Sequence, residues 1–254
     1  MRPEGHSDWR DAAAYAPLLE ADRSILAWEW LRRDPAYRQA AGRWLRRPAS
    51  RGACEAAAAW GLHAFEPPHR PAPLARPVWR TDVHAHVLAA MAVGAGPGPD
   101  AFDLSRLEAM STLVRTQGRE RLLISDGLRA IRLDILSGSL AAGPVRLRYL
   151  LSGLDTAEKP LLTLRRLLAL WRRGRFSAML HPREPRAARW VLMLRAFDAL
   201  GAGADQREIA EALLSDAAAG ARWRTASPSL RSRVQRLVRG ARRMAAGGYL
   251  RLLG

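Results

Sequence analysis

The sequence predicts an α+β protein, mainly α, with an aromatic-rich helical N-terminal module, a small antiparallel sheet and a C-terminal helix-turn-helix-like helical unit. Three observations predict it. Apolar residues recur at helical spacing in residues 8–47 and again from Asp155 onward. The stretch between 83 and 150 alternates with period two, and a run holding five prolines lies between the first helical part and the rest. The expected boundaries are 1–65 for the helical module, 66–79 for a proline-rich linker, and 80–254 for the sheet with the C-terminal domain.

In residues 8–47, Asp22 is placed to cap a second short helix. Asp34 followed by Pro35 supplies a cap and a first-turn proline for a third. Trp9, Tyr15, Trp28, Trp30, Tyr37 and Trp44 give this unit the bulky side chains that a small bundle needs to bury enough surface. Any of Trp28, Trp30 and Tyr37 left exposed would suit a protein contact. "EPPHRPAPLARPVW", residues 66–79, has little that could pair or coil and is read as a linker. "GAGPGPD", residues 94–100, is a second irregular stretch.

"VHAHVLAAMAV" at 83–93 is read as a strand. "ERLLISDGLRAIRLDIL" has an Asp126-Gly127 turn signal between two more, and in "GPVRLRYLLSG" Val145, Leu147 and Tyr149 alternate against Arg146 and Arg148. "DTAEKPLLTLRRLLALWRRGRF" then places Asp155 three residues before Glu158, as in a capping pair. A stripe follows at Leu161, Leu164, Leu167, Leu168 and Trp171, with Arg165, Arg166, Arg172 and Arg173 opposite it, either solvated or gripping phosphate. In the next helix, Trp190, Leu194 and Phe197 are expected in the core.

"GAGADQREIAEALL", residues 201–214, reads as a short capped helix. Asp205 and Glu208 form the capping pair, Gln206 and Arg207 occupy the first turn, and Ile209, Ala210, Leu213 and Leu214 face a core. The first helix of a helix-turn-helix behaves this way, its first turn near the DNA backbone and its apolar face bracing the reading helix. That second helix would lie in "SPSLRSRVQRLVRGARRM". At 100° per residue, Leu230, Val234, Leu237, Ala241 and Met244 gather on one side. Ser229, Ser232, Arg233, Arg236, Arg239, Gly240 and Arg243 gather on another, and Arg231 of the same helix is a further candidate DNA contact. Small residues let a backbone come close, and arginine takes guanine bidentately or grips phosphate. The competing reading is an ordinary solvated basic face. The connection "DAAAGARWRTASP" is far longer than the ~3 to 4 residues of a compact motif, and Trp223 is read as its anchor.

Composition points the same way. The formal net charge of +17 over 254 residues is carried almost wholly by arginine, since Lys159 is the one lysine, and its sign predicts an anionic partner with double-stranded DNA first. The single cysteine, Cys54, excludes an internal disulfide and is expected as a small buried apolar residue. No stretch approaches the ~18 apolar residues of a membrane span, and "MRPEGHSDWR" lacks a signal core, so a cytoplasmic, nucleoid-associated protein is expected. His84 and His86 could share one side of a strand, but no third ligand completes a zinc site. No G-x-x-x-x-G-K-[ST], G-x-S-x-G or H-E-x-x-H occurs, so neither catalysis nor a cofactor is expected.

Residues from about 119 to the end, through "SGSLAAGPVRLRY", "QREIAEALL", "LRSRVQRLVRGARRM" and "GGYLRLL", resemble a proteobacterial family described as a DNA-binding domain of unknown function. "AWEWLRRDPAYR" with "WGLHAF" resembles the transcriptional-regulator-like module that precedes that domain in full-length members. The pairing is similar to the FseA-type excision activators of integrative and conjugative elements, and the C-terminal part alone to the QseM-type antiactivators. The resemblance implies transcriptional control on a mobile element, as an activator or as an antiactivator that binds another regulator. RNA polymerase, a second regulator or a second copy of the chain would be the protein partner.

Overall fold

The computed structural model describes residues 8–46, 52–94, 98–214 and 228–254. The N-terminal part holds a 3-10 run at Ala13–Glu20, then α1 (Arg23–Leu31), α2 (Pro35–Trp44) and α3 (Ala53–Ala58). The Asp34 carboxylate accepts from the backbone N–H groups of Ala36 and Tyr37, and Pro35 opens the helix where no N–H is needed. Asp22, expected to cap α1, makes no side-chain cap bond. A carboxylate can serve distant donors instead of local ones: that of Asp22 accepts the Ala130 N–H at 2.9 Å and meets the His181 Nδ1 at 3.1 Å.

Strands β1 (Val87–Gly94), β2 (Ala101–Phe102), β3 (Ser111–Thr116), β4 (Arg119–Ser125), β5 (Ala130–Ser137) and β6 (Val145–Leu150) form one sheet in the order β2-β6-β1-β5-β4-β3. The small antiparallel sheet expected from the pattern is corrected here. The sheet has six strands and is mixed, because β1 runs parallel to β5 while its other neighbour, β6, is antiparallel. The excursion through β2, β3 and β4 between β1 and β5 makes the parallel pairing sterically accessible. The tip between β3 and β4 is Gln117-Gly118, both at positive φ, as a tight two-residue hairpin demands.

α4 (Glu158–Arg173) lies over one sheet face and closes the first core with it. Leu167 and Leu170 pack against Leu88, Ala90, Leu122, Ile124, Leu133 and Ile135. The helix begins later than the expected cap Asp155 and stops at Gly174, whose left-handed φ of 65° lets its N–H reach the Leu170 carbonyl. The expected leucine stripe is half right. Leu164, Leu167 and Trp171 pack inward, whereas Leu161 and Leu168 are exposed because the buried line runs through Thr163 and Leu170 instead.

α5 (Ala187–Gly201), α6 (Gln206–Leu213), α7 (Pro228–Ala245) and a closing 3-10 turn at Gly248–Leu252 build the second core together with the N-terminal helices. Trp28, Trp30, Leu31 and Tyr37 share this core with Trp190, Leu194, Val234, Leu237, Tyr249 and Leu253. Trp28, Trp30 and Tyr37 are all buried, so none is left as the exposed anchor foreseen above. Phe197, at the border, meets Trp30 with ring centroids 5.8 Å apart.

Polar groups fasten this union. Arg33, two residues past the end of α1, donates from Nε and Nη2 to the two carboxylate oxygens of Asp198 on α5 at 2.7 and 2.8 Å, and the Tyr15 hydroxyl donates to Asp198 at 2.6 Å. Glu29 accepts from Arg33 at 2.6 Å and from Arg32 at 2.8 Å. Burial works against the charge of Arg33, but Asp198 and Glu29 more than offset it and hold its pKa above the ordinary value.

The proline-rich stretch 66–79 does not run free as a spacer. Ala75, Val78 and Trp79 are buried, the Tyr37 hydroxyl donates to the Glu66 carbonyl, the Trp28 indole N–H donates to the Arg70 carbonyl, and the Trp79 indole N–H reaches the Ser24 carbonyl. Gly127, at φ 99°, presses on Pro73 so closely that a Cβ there would stand 2.0 Å from its carbonyl oxygen. Cys54, expected inside, is exposed on the short α3, whose one buried residue is Ala57.

Candidate nucleic-acid interface

The two helices read from sequence as a helix-turn-helix pair are present, and α5 joins them. Asp205 caps α6 by accepting from the N–H groups of Arg207 and Glu208, and the Glu208 carboxylate returns to the Asp205 N–H at 2.9 Å. Ile209 and Ala210 are buried as the spacing requires. On α7, Val234, Leu237, Val238 and Ala241 are buried, and Leu230 and Met244 are half-buried. The connection from 215 to 227, with Trp223, lies outside the described residues.

Arg231, Arg233, Arg236, Arg239 and Arg243 of α7 are exposed, and Ser232 is half-buried. Ser229 falls in the first turn of α7, its side chain outside the described residues. Gly240 has a different role from the one expected. It faces α5, where a Cβ would stand 2.6 Å from the Met193 Cε, so its smallness lets the two helices cross. On α6, Gln206 and Arg207 are exposed. Arg207 is engaged along its own helix: its Nε donates to Glu211 at 2.8 Å, which raises its pKa.

Between α5 and α7 runs a groove of 530 Å³, walled by arginines from three elements. Arg236, Arg239 and Arg243 come from α7, Arg186 and Arg189 from the N-terminal turn of α5, and Arg251 from the closing turn, over a floor of Trp190, Met193 and Met244. Among the described residues no carboxylate lines it and none of the six guanidiniums has an ion pair. Like charges gathered without counter-charge repel one another, so the arrangement favours an anion that spans them. The N-terminal end of α5 is itself capped by Glu184, which accepts the Arg186 N–H with its carboxylate at 3.1 Å and the Ala187 N–H with its carbonyl at 2.9 Å. Arg186, Arg189 and Arg251 were missed in the sequence reading. The i, i+3 spacing of Arg186 and Arg189 was the signal available, but nothing local tells that their helix crosses α7 on that side.

The α4 arginines belong to a different part of the molecule, on the helix that covers the sheet. Arg165, Arg172 and Arg173 are exposed, whereas Arg166 turns inward and donates from Nε to the Leu180 carbonyl at 2.9 Å. Burial lowers the pKa of Arg166, with Asp22 opposing that shift. His84 and His86 precede β1 with ring centroids 5.9 Å apart, and burial pushes both down to about 4. Among the described residues no group of three or more histidine, cysteine or acidic side chains is placed to hold a metal. No helix among them is long and apolar enough to cross a membrane.

A basic groove beside an amphipathic arginine helix, together with the domains matched here, suggests a DNA-binding transcriptional regulator. Residues 150–254 match the family model described as T6SS, transcription factor, DNA binding domain, which spans α4 to α7. Residues 8–63 match the proteobacterial transcriptional regulator-like domain. No curated protein matches the chain.

Proposed function

We propose that the chain binds double-stranded DNA through α7 and the groove between α5 and α7, and regulates transcription by doing so. The observation that carries the reading is the convergence on one groove of six arginines from three elements, none of them ion-paired among the described residues. In this reading Arg239, Arg243, Arg186, Arg189 and Arg251 take phosphates, while Ser229, Arg231, Ser232, Arg233 and Arg236 in the N-terminal part of α7 meet base edges. α6 braces α7 as the first helix of a helix-turn-helix-like unit, with Gln206 and Arg207 near the backbone. Arg165, Arg172 and Arg173 on α4 add weaker phosphate contacts. The finer role is activation of genes on an integrative or mobile element, with contact to RNA polymerase or a second copy of the chain.

Fluorescence anisotropy of a labelled duplex across a salt series tests the binding. If about five phosphates are neutralised, log affinity falls against log salt with a slope of about −4 to −5, and a slope near zero removes the proposal. A reporter driven by the recovered site, whose output rises with the protein, tests activation.

A second reading, as an antiactivator that binds another regulator, draws on the exposed Leu150, Leu151, Leu154 and Leu161 where β6 leads into α4. A pull-down that recovers a regulator equally well after nuclease treatment would favour it.

A further inference from the structure

We propose that the cleft between α3 and the sheet face opposite α4 binds a small oxyanion, a metabolite-sized molecule carrying a phosphate or carboxylate group. α4 covers one sheet face, and the cleft, of about 670 Å³, opens on the other. That is the size of a small-molecule site.

The sheet side of the cleft is charged and largely buried. Arg121 of β4 stands opposite Asp134 of β5, and Arg132 enters from the same face of β5. Asp134 is shared between Arg132 at 2.7 Å and Arg121 at 3.4 Å, so two guanidiniums face one carboxylate. One positive charge is left over in a place where an uncompensated charge is costly. Arg121 is 8% exposed; its Nε faces Asp134 at 3.4 Å without a hydrogen bond, and its Nη1 donates to the Glu120 carbonyl at 3.3 Å. Burial, opposed by Asp134, brings the Arg132 pKa down to about 10, as expected where positive charge is in excess.

Two further groups aim at the same space. Arg119, exposed at the mouth, has no ion pair among the described residues. His63, on the opposite wall, has its Nε2 buried without a hydrogen bond, and burial, reinforced by the Arg132 charge, holds the ring neutral with a pKa of about 4. An oxyanion seated there would accept from Arg119, Arg121 and a His63 N–H and offset the surplus charge. None of these residues lies on α5 or α7, so the site is separate from the DNA-binding groove.

Cys54 lines the cleft, is exposed and is the only cysteine of the chain, so its alkylation by N-ethylmaleimide reports on occupancy in the full-length protein. Inorganic phosphate, pyrophosphate and citrate are compared with chloride at matched ionic strength and pH. An anion at ten times its Kd should slow alkylation about tenfold, since only the unoccupied fraction reacts. Protection by the phosphates alone assigns a phosphate ligand, by citrate alone a carboxylate, and by all three a general oxyanion site. Arg119→Glu, at an exposed position, should abolish protection while leaving the Tm unchanged, with protection read against the variant's own rate in chloride, which the charge reversal beside the thiol is free to shift. Duplex DNA should leave the rate unchanged. Unchanged alkylation with all three anions, protection that survives Arg119→Glu, or protection by duplex DNA alone overturns the proposal.

Discussion

Asp198→Ala isolates the fastening between the N-terminal helices and α5. The side chains of Arg33 and Asp198 are 2% and 3% exposed, with two hydrogen bonds between them and a third from Tyr15. Removing the carboxylate leaves the Arg33 guanidinium with Glu29 as its carboxylate partner among the described residues and removes the Tyr15–Asp198 hydrogen bond. Breaking one side of a buried ion pair costs about 3–5 kcal/mol, against a total of about 5–15 kcal/mol for a domain. The variant should therefore lose a large share of its stability, read as a fall in the urea midpoint by tryptophan fluorescence and circular dichroism. Arg33→Met combined with Asp198→Leu removes both charges and fills the space. Glu29 then keeps Arg32 and the Ala72 N–H, so the double variant should recover to within about 2 kcal/mol of the parent. A loss below about 1 kcal/mol in Asp198→Ala, or a double variant no better than the single one, would refute the reasoning.

Gly127→Ala should destabilise by at least about 2 kcal/mol, because it combines a left-handed φ with a backbone clash against Pro73; an unchanged melting curve would mean the turn rearranges freely. Stability should fall with acid. His63, His84 and His86 are held near 4 in the folded chain against an ordinary 6.5, so the unfolded chain takes up their protons first as the pH drops from 6.5 toward 4. Denaturation midpoints near pH 7 and near pH 5 check this, and equal values contradict it. Arg233→Ala and Arg236→Ala should each cost about 1–3 kcal/mol of discrimination between a true site and random DNA, whereas Arg165→Ala and Arg172→Ala should weaken both alike. Equal losses on both DNAs for all four would reduce α7 to a backbone contact.

What the sequence made legible was whatever is decided within a few residues. The Asp34-Pro35 start of α2, the Asp205/Glu208 box of α6 and the two faces of α7 follow from caps and from the 100° step. Partners set by distant chain segments stayed hidden. Period two marks a strand without saying that β1 joins β5 in parallel, and a tryptophan-rich module says nothing of which helices will cover Trp28 and Trp30. Asp22 shows the same limit, since a residue suited to a cap was claimed by Ala130 and His181. The candidate site was half legible for this reason. The α7 arginines share one helix, whereas Arg186, Arg189 and Arg251 join them only through the α5–α7 crossing that Gly240 permits.

The continuous core that unites the N-terminal helices with α5 and α7 also makes the molecule a ruler. Because the described residues of the part that resembles a regulatory module share one core with the helix proposed to read DNA, anything bound to the first is held at a fixed bearing around the duplex axis. Inserting half a turn of DNA, about five base pairs, between the protein's site and that of its partner would carry the two to opposite sides of the helix. A full turn of about ten would bring them back into phase. Promoter output should then oscillate with spacing instead of decaying smoothly, as a flexible tether would allow.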